Sequence, residues 1–283
     1  MPTSAPTLKE YLNELENLIK KTQLALKGAP EGGLHIKTNR GAPQFFHRQY
    51  NCRDIYIPQD RIAFVRRLAQ KRYDRMVLEL LRALYADAKD ICRHFPAECV
   101  GELDASFLYS AFYQDLDEIY ISQGAIRQDL IIPVIPTTKQ FVEAWLAEPY
   151  DRLPFRDTDQ SRYFSKGYGR VRSKTELYIA DRLFYGKYPT KYECPLYLEN
   201  ITLHPDFTVM DTHTRRVKYM EHCGMMGDAA YVDSLIRKIN TYESNGIFPG
   251  ENLLLTYESA TLPFDTRTFD RLLQHHFREP LSW

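Results

Sequence analysis

The chain has 283 residues, enough for one large domain or two ordinary ones, and 44% of them are hydrophobic, enough for a real core. Charged residues make up 26% and the formal net charge is zero, which argues against disorder and excludes a general electrostatic attraction to nucleic acid. The five cysteines are odd in number and none form a Cys-x-x-Cys pair, so neither a disulfide framework nor a zinc site is indicated.

Residues 1–150 are predicted to form a mostly helical domain with one β-hairpin. Thr7 and Glu10 have the spacing of a capping box ahead of an amphipathic helix. Turn residues around Gly41 separate two apolar stretches, which predicts the hairpin; an ordinary surface hairpin is favoured over a contact with DNA. Three further helical segments, the first of them one long helix or two joined ones, are predicted over residues 60–95, 107–121 and 138–148.

Residues 151–283 show a different pattern, in which helices and strands alternate. The preceding boundary is predicted near Pro149–Asp159, where Pro, Asp and Arg are frequent. Helical spacing around Glu176 predicts a helix, and a second helix is predicted after Gly224. Strands are predicted over residues 191–198, 206–210, 217–221 and 253–257. The fold class expected for the whole chain is therefore α+β.

Three acidic residues stand out in this second region. Asp206 begins one predicted strand and Glu221 ends the next, so an antiparallel pairing would place them side by side. Glu176 lies on the helix that precedes these strands. Two carboxylates at neighbouring strand ends, completed by a third from a packed helix, can hold a hard divalent cation. Such an arrangement is the minimum set of residues needed for metal-assisted cleavage of a phosphodiester.

Four short motifs in a fixed order carry a family resemblance. They read Arg-Ser-Lys-Thr-Glu ending at Glu176, Pro-Asp-Phe around Asp206, Glu-His-Cys-Gly-Met-Met starting at Glu221, and Lys238 followed four residues later by Tyr242. Together with the order of helices and strands, they resemble the PD-(D/E)XK nuclease superfamily. Over most of its length, the chain also resembles an uncharacterised bacterial protein group with this nuclease-like domain.

The resemblance implies a restriction-endonuclease-like core of the form αβββαβ in residues 151–283. It also implies a Mg²⁺- or Mn²⁺-dependent hydrolase that cleaves DNA, in genome defence, mobile-element biology or repair. Glu176, Asp206 and Glu221 would be catalytic. The metal would be held by Asp206, Glu221 and the backbone carbonyl of His222.

The chain departs from the superfamily pattern at one position. Two residues after the third acid the pattern has lysine, but here that residue is Cys223, which carries no positive charge near neutral pH. We expect Lys238 on the following helix to replace it, with Tyr242 on the same face as an accessory residue. Lys174, two residues before Glu176, is the second candidate.

A basic segment precedes and includes the catalytic helix. Residues 161–191 contain eight basic and two acidic residues, with Tyr163, Phe164 and Tyr168 interleaved. Basic side chains with nearby aromatic rings can hold a phosphate backbone and stack bases, whereas the alternative is a solvated basic linker. The predicted nucleic-acid-binding residues are Arg162, Lys166, Arg170, Arg172 and Lys174. Glu193 is expected to be an exposed strand residue rather than an accessory acid.

The expected partner is nucleic acid, with DNA favoured over RNA. The alternative function is a non-catalytic nucleic-acid-binding or assembly protein that retains a degenerate nuclease core, a reading supported by Cys223. The sequence shows no signal segment at its start, and no apolar run approaches the length of a membrane span. We therefore expect a cytoplasmic protein with no membrane partner, and the oligomeric state is left open.

Overall fold

The computed structural model describes residues 4–96, 98–155 and 162–283. The chain divides into two compact units, Pro6–Lys139 and Gln140–Trp283, and the latter also includes Ser4 and Ala5. This division lies earlier than the boundary predicted near residue 150. Helices and strands both contribute to the chain, so the α+β class is confirmed.

The N-terminal unit is mostly helical with a small sheet, as predicted. Thr7 and Glu10 cap the first helix reciprocally: the Glu10 amide donates to the Thr7 hydroxyl at 3.2 Å, and the Thr7 amide donates to Glu10 Oε2 at 2.8 Å. The segment predicted over residues 60–95 contains one long helix, Ile62–Arg93, rather than two joined ones. The elements are α1 (Leu8–Lys27), β1 (Gly33–Asn39), β2 (Ala42–Arg48), β3 (Ile55–Ile57), a 3₁₀ turn (Gln59–Arg61), α2 (Ile62–Arg93), α3 (Ser106–Ser122) and α4 (Ala125–Gln128).

The core of this unit forms where α1, α2 and α3 bury their apolar faces together. Tyr11, Tyr73 and Phe112 are its large, fully buried side chains, and the rings of Tyr11 and Phe112 meet edge to face. β1 and β2 form the predicted antiparallel hairpin, to which β3 adds a third strand. Helix α5 (Thr138–Ala147) begins at the junction between the two units.

The C-terminal unit carries the predicted alternation of helices and strands. Its central sheet has the order β11-β10-β9-β6, in which β10 and β11 are parallel and the other pairs are antiparallel. Its elements after α5 are β4 (Tyr163–Ser165), β5 (Gly169–Val171), α6 (Lys174–Tyr185), β6 (Thr190–Tyr192), β7 (Leu196–Tyr197), β8 (Thr202–Leu203), β9 (Phe207–Asp211), β10 (Arg216–Cys223), α7 (Ala229–Glu243), β11 (Leu253–Tyr257) and α8 (Thr266–His276).

Both faces of the central sheet are buried. On one face Met220 packs with Ile179 of α6, and on the other Tyr219 packs with Tyr242 of α7. Neighbouring residues of a strand point to opposite faces, so β10 contributes to two separate apolar clusters. This burial on both sides explains why Val217, Tyr219, Met220 and Cys223 of β10 are all buried, although they point to different faces.

Some sequence predictions for this unit were wrong or incomplete. The strand predicted over residues 191–198 is interrupted, because Glu193 adopts a left-handed backbone conformation with φ of 49° and the ladder of β6 ends before it. The β4–β5 hairpin and helix α8 were not predicted, although α8 buries Phe269 and Leu273 against the sheet. Within the described residues, no helix is both long and apolar enough to span a membrane.

Candidate active site

The register between β9 and β10 brings two of the predicted acids together. Met220 pairs with Phe207, so Glu221 and Asp206 lie one step further along the same antiparallel ladder. Asp206 ends this ladder by accepting a hydrogen bond from the amide of His222 to Oδ2 at 2.6 Å. The predicted side-by-side placement of the two acids therefore follows from the strand register.

Helix α7 supplies two donors to Glu221. Nζ of Lys238 lies 2.6 Å from Oε1 of Glu221, and the hydroxyl of Tyr242 donates to the same oxygen at 2.6 Å. Lys238 and Tyr242 are four residues apart, so they lie on one face of the helix, which the N-cap Asp228 begins. The Glu221 side chain is 7% exposed and Lys238 is 32% exposed, so the lysine connects the buried acid to solvent.

Glu176 is held at the first turn of α6. Ser173 caps this helix by accepting from the Glu176 amide, and Oε2 of Glu176 accepts from the Arg172 amide at 3.0 Å. The hydroxyl of Tyr192 donates to the same Oε2 at 2.7 Å. Tyr192 lies within the strand predicted over residues 191–198, but no local pattern could have indicated this contact, since the two residues meet only after β6 packs beside α6.

The charges of Asp206, Glu221, Glu176 and Lys238 act on one another. Burial, followed by the charges of Glu221 and Glu176, raises the pKa of the Asp206 carboxyl well above its usual range, although the residue as a whole keeps some exposed surface. Burial also raises the pKa of Glu221, while Lys238 and the Tyr242 hydroxyl act in the opposite direction. The two strand acids are thus close enough to repel each other, and a cation beside them would relieve that repulsion.

The oxygen atoms of these acids fit a divalent metal of the Mg²⁺ type. Among the described residues, no donor contacts Oδ1 of Asp206 or Oε2 of Glu221, because the hydrogen bonds reach only the other oxygen of each carboxylate. Mg²⁺ is commonly held by one or two carboxylates, with water and substrate phosphate as its other ligands. No group of three or more His, Cys, Asp or Glu side chains in the described part of the chain could hold a metal ion. Asp206 and Glu221 are thus the candidate donor pair, and Glu176, whose Oε1 also lacks a donor among the described residues, is held through its Oε2 by Tyr192.

Cys223 lies at the position where the superfamily pattern has lysine. Its side chain is fully buried, and burial together with the charges of Glu221 and Asp206 raises the pKa of the thiol to about 12. The thiol therefore stays neutral at physiological pH and supplies no cation. Of the two lysines considered, Lys238 contacts an acid of the site directly, whereas Lys174 is exposed at the start of α6.

The His222 side chain lies among polar partners that sequence reasoning missed. Its Nδ1 is 2.9 Å from the Thr256 hydroxyl, and its Nε2 is 3.2 Å from Glu258 Oε1, a contact that is not aligned as a hydrogen bond. Glu258 in turn accepts from the hydroxyl of Thr175 at 3.0 Å. Thr175 and His222 are the neighbours of Glu176 and Glu221, so this chain of contacts connects α6 to the sheet one residue away from each acid.

The predicted nucleic-acid-binding residues do not behave as one group. Arg172 forms an ion pair with Glu193 and donates to the Leu153 carbonyl at 3.1 Å, so its guanidinium has a structural role. Glu193 is 4% exposed, and the expectation of an exposed strand residue was wrong, because Arg172 compensates its charge in the interior. The guanidinium of Arg170 lies 4.1 Å from the centre of the Phe155 ring. The side chains of Arg162, Lys166 and Lys174 are exposed.

The candidate site thus consists of Asp206, Glu221 and Lys238, with Glu176 and its partner Tyr192 beside them. Its chemistry is that of two carboxylates next to one lysine, at the edge of the sheet where β9 begins and β10 ends. Comparison of the chain with models of protein families, with curated proteins and with solved structures found no match.

Proposed function

We propose that this protein is a metal-dependent nuclease that hydrolyses DNA phosphodiester bonds, with a restriction-endonuclease-like core formed by α6, β6, β9, β10, α7 and β11. The observation that carries the proposal is the contact of Lys238 with Glu221 beside Asp206. Lys238 on α7, the helix that follows β10, contacts Glu221. Cys223, at the position where the superfamily pattern has lysine, supplies no cation. The order of the elements and the position of Glu176 on the first helix support the same conclusion.

In the proposed mechanism, Asp206, Glu221 and the His222 backbone carbonyl would hold Mg²⁺ or Mn²⁺. When bound, such an ion lowers the pKa of a water ligand and neutralises charge on the phosphate. Lys238 keeps its ammonium at Oε1 of Glu221, where it can orient the attacking water or stabilise the charge that develops on the phosphate. Tyr242 fixes the Glu221 rotamer by its hydrogen bond to the same oxygen.

Glu176 has a supporting part in this mechanism. Its Oε2 is already satisfied by the Tyr192 hydroxyl and the Arg172 amide, which hold the carboxylate in one orientation. From that position its negative charge acts on Asp206 and strengthens the preference of the site for a cation.

Nicking of supercoiled plasmid by the purified full-length chain tests the proposal. We expect cleavage with Mg²⁺ or Mn²⁺, none with a chelator, and a loss of at least about 100-fold in Glu221→Gln, since both the metal and Lys238 depend on that carboxylate. Glu243→Gln, an exposed position at the end of α7, is the matched control and should cleave normally. Cleavage that is unaffected by Glu221→Gln would reject the assignment.

A specific observation also supports the second candidate, a nucleic-acid-binding or assembly protein with a degenerate core. Lys238 already compensates the charge of Glu221, and the described residues contain no cluster of three metal ligands. Under this alternative the chain would bind DNA with the same affinity with and without a divalent ion, and it would leave plasmid intact. Binding without nicking at every metal concentration tested would favour this candidate over the nuclease.

A further inference from the structure

A cavity of about 640 Å³ lies in the C-terminal unit, beyond the end of α6 that is opposite to Glu176. Its walls combine aromatic rings with basic side chains. Tyr185 is 64% exposed and Trp283 is 37% exposed, so rings are accessible at its margin. No aspartate or glutamate is among its lining residues in the part of the chain that the structure describes. The lining residues used below are Arg152, Tyr168, Tyr185, Lys187 and Trp283.

Hydrogen bonds between lining residues fix the walls of this cavity. The indole Nε1 of Trp283 donates to the Lys187 carbonyl at 2.9 Å, which orients the ring. The Arg152 guanidinium donates to the Tyr168 carbonyl at 2.6 Å. At Gly167 an added Cβ would lie 2.4 Å from the Phe184 ring, so only glycine permits this approach of the β4–β5 turn to α6. These contacts hold the walls of the cavity in place.

The basic residues at the cavity differ in how far their charge is compensated. Lys191 is buried, and its Nζ lies 3.1 Å from Glu148 Oε2 and 4.7 Å from the centre of the Trp145 ring. By contrast, no carboxylate among the described residues contacts Arg152 or Lys187. The cavity therefore presents net positive charge next to aromatic surface, which is the combination that accommodates a phosphate joined to a planar ring.

We propose that this cavity is a nucleotide-binding site. The base stacks on the accessible rings of Tyr185 and Trp283, and the phosphate pairs with Lys187 and Arg152. The site goes beyond the proposed cleavage reaction, because it uses none of the acids at the other end of α6. Glu176 and Tyr185 are nine residues apart on this helix, or about 14 Å along its axis.

The position of the cavity relates it to the acids through β6. Lys191 lines the cavity, and the next residue, Tyr192, donates to Glu176. The Arg152 guanidinium also lies 5.6 Å from the centre of the Tyr192 ring. The ligand is either a free nucleotide or one unit of a nucleic-acid strand, because both present a base and a phosphate to these residues. An experiment can distinguish the two.

The test measures binding by the full-length chain in a chelator, so that no cleavage can occur. The probe is a short fluorescein-labelled single-stranded oligodeoxyadenylate, followed by anisotropy, with adenosine monophosphate as the competitor. We expect binding that weakens roughly tenfold in Tyr185→Ala, as for the loss of one stacked base, and by a similar factor in Lys187→Gln. Competition by adenosine monophosphate would identify a site for free nucleotide, and its absence would identify a site for a strand.

Two exposed residues away from the cavity provide matched controls. Tyr197→Ala removes an aromatic ring that is 77% exposed, and Arg271→Gln removes a cation on α8; both should bind as the unmodified chain does. Unchanged melting temperatures would show that the variants are folded. Absence of binding by either probe, or a loss in Lys187→Gln that is not accompanied by one in Tyr185→Ala, would overturn the proposal. Because no divalent ion is present, this result is independent of whether the acids support cleavage.

Discussion

Lys238 and Tyr242 both direct their donors to the same atom, Oε1 of Glu221, each at 2.6 Å. This arrangement leaves Oε2 of Glu221 without a donor among the described residues. One oxygen of the acid is thus committed to the helix, and the other is available to a cation. A lysine in this position neutralises part of the charge of Glu221 without occupying both of its oxygens.

The first prediction concerns Lys238. Replacing it with Ala should lower plasmid cleavage by about 100-fold, because the only cation in contact with the acids among the described residues is removed. Mn²⁺ binding, measured by calorimetry, should persist. Arg237→Ala on the exposed face of α7 is the matched control. Adding Cys223→Lys to Lys238→Ala should restore part of the activity, and full activity in Lys238→Ala alone would direct attention to Lys174.

The second prediction concerns the repulsion at Asp206. Asp206→Asn removes the carboxyl whose ionised form is disfavoured by burial and by the charges of Glu221 and Glu176, and it keeps an oxygen that can accept from the His222 amide. In the absence of divalent ions, we expect the free energy of unfolding to rise by about 1 kcal/mol, as is typical where a functional site stores repulsion. Mn²⁺ binding should weaken sharply. Asp233→Asn on the surface of α7 should change neither quantity.

Two other outcomes for Asp206→Asn would have different meanings. If Asp206→Asn lowered stability without altering Mn²⁺ binding, the carboxylate would have a structural role only. If Mn²⁺ binding weakened and the free energy of unfolding stayed constant, Asp206 would be a metal ligand, but repulsion between the acids would not destabilise the fold.

The third prediction concerns Tyr192, which positions Glu176. Tyr192→Phe removes the donor to a buried carboxylate and should lower the free energy of unfolding by about 1–3 kcal/mol in urea denaturation. Cleavage should fall as well, while the apparent affinity for DNA stays constant, because the exposed basic residues are untouched. Tyr197→Phe, on an exposed tyrosine, is the control. An unchanged free energy of unfolding in Tyr192→Phe would mean that the hydrogen bond to Glu176 contributes little to stability.

The fourth prediction separates the basic residues of the segment before α6. Arg162 and Lys166 are exposed, so changing both to Gln should reduce the slope of log affinity against log salt by about two units, the value expected when two phosphate contacts are lost. Arg172→Gln should instead destabilise the fold by about 3 kcal/mol, because it leaves buried Glu193 unpaired. An unchanged salt slope in the double variant would indicate a solvated segment.

The fifth prediction is a pH dependence of stability. Burial, with the charges of Lys218 and His275, lowers the pKa of His276 to about 4 from the ordinary value of 6.5. Between these two values the unfolded chain binds a proton that the folded chain does not, so stability falls as pH is lowered. The half-buried ring is screened by solvent, which limits the loss to about 1–2 kcal/mol.

Urea denaturation at about neutral pH and at about pH 5 measures this loss, with the whole curve followed by circular dichroism. His276→Gln should make the two curves more similar, since glutamine does not titrate. His94→Gln, at an exposed position after α2, should leave the difference as it is. An identical pH dependence in His276→Gln would show that other groups cause the loss.

Local sequence patterns were sufficient for much of the fold. Helical spacing predicted α1, α2, α6 and α7, and alternating or continuous apolar runs predicted β9, β10 and β11. The capping box of Thr7 and Glu10 was confirmed, because it depends on residues three positions apart. The placement of Asp206 beside Glu221, next to the paired Phe207 and Met220, could also be expected, since two strands joined by a short turn leave little choice of register.

Contacts between residues far apart in the chain could be decided only by the tertiary structure. Arg172 and Glu193 looked like a phosphate contact and an exposed strand residue, but they form a partly buried ion pair that occupies the arginine. Tyr192 reaches Glu176 because β6 packs beside α6, and the nucleotide-sized cavity arises where α6, β6 and residue 283 meet. Periodicity reports which face of an element is buried. It does not report which side chain lies opposite, because that depends on the packing of whole elements.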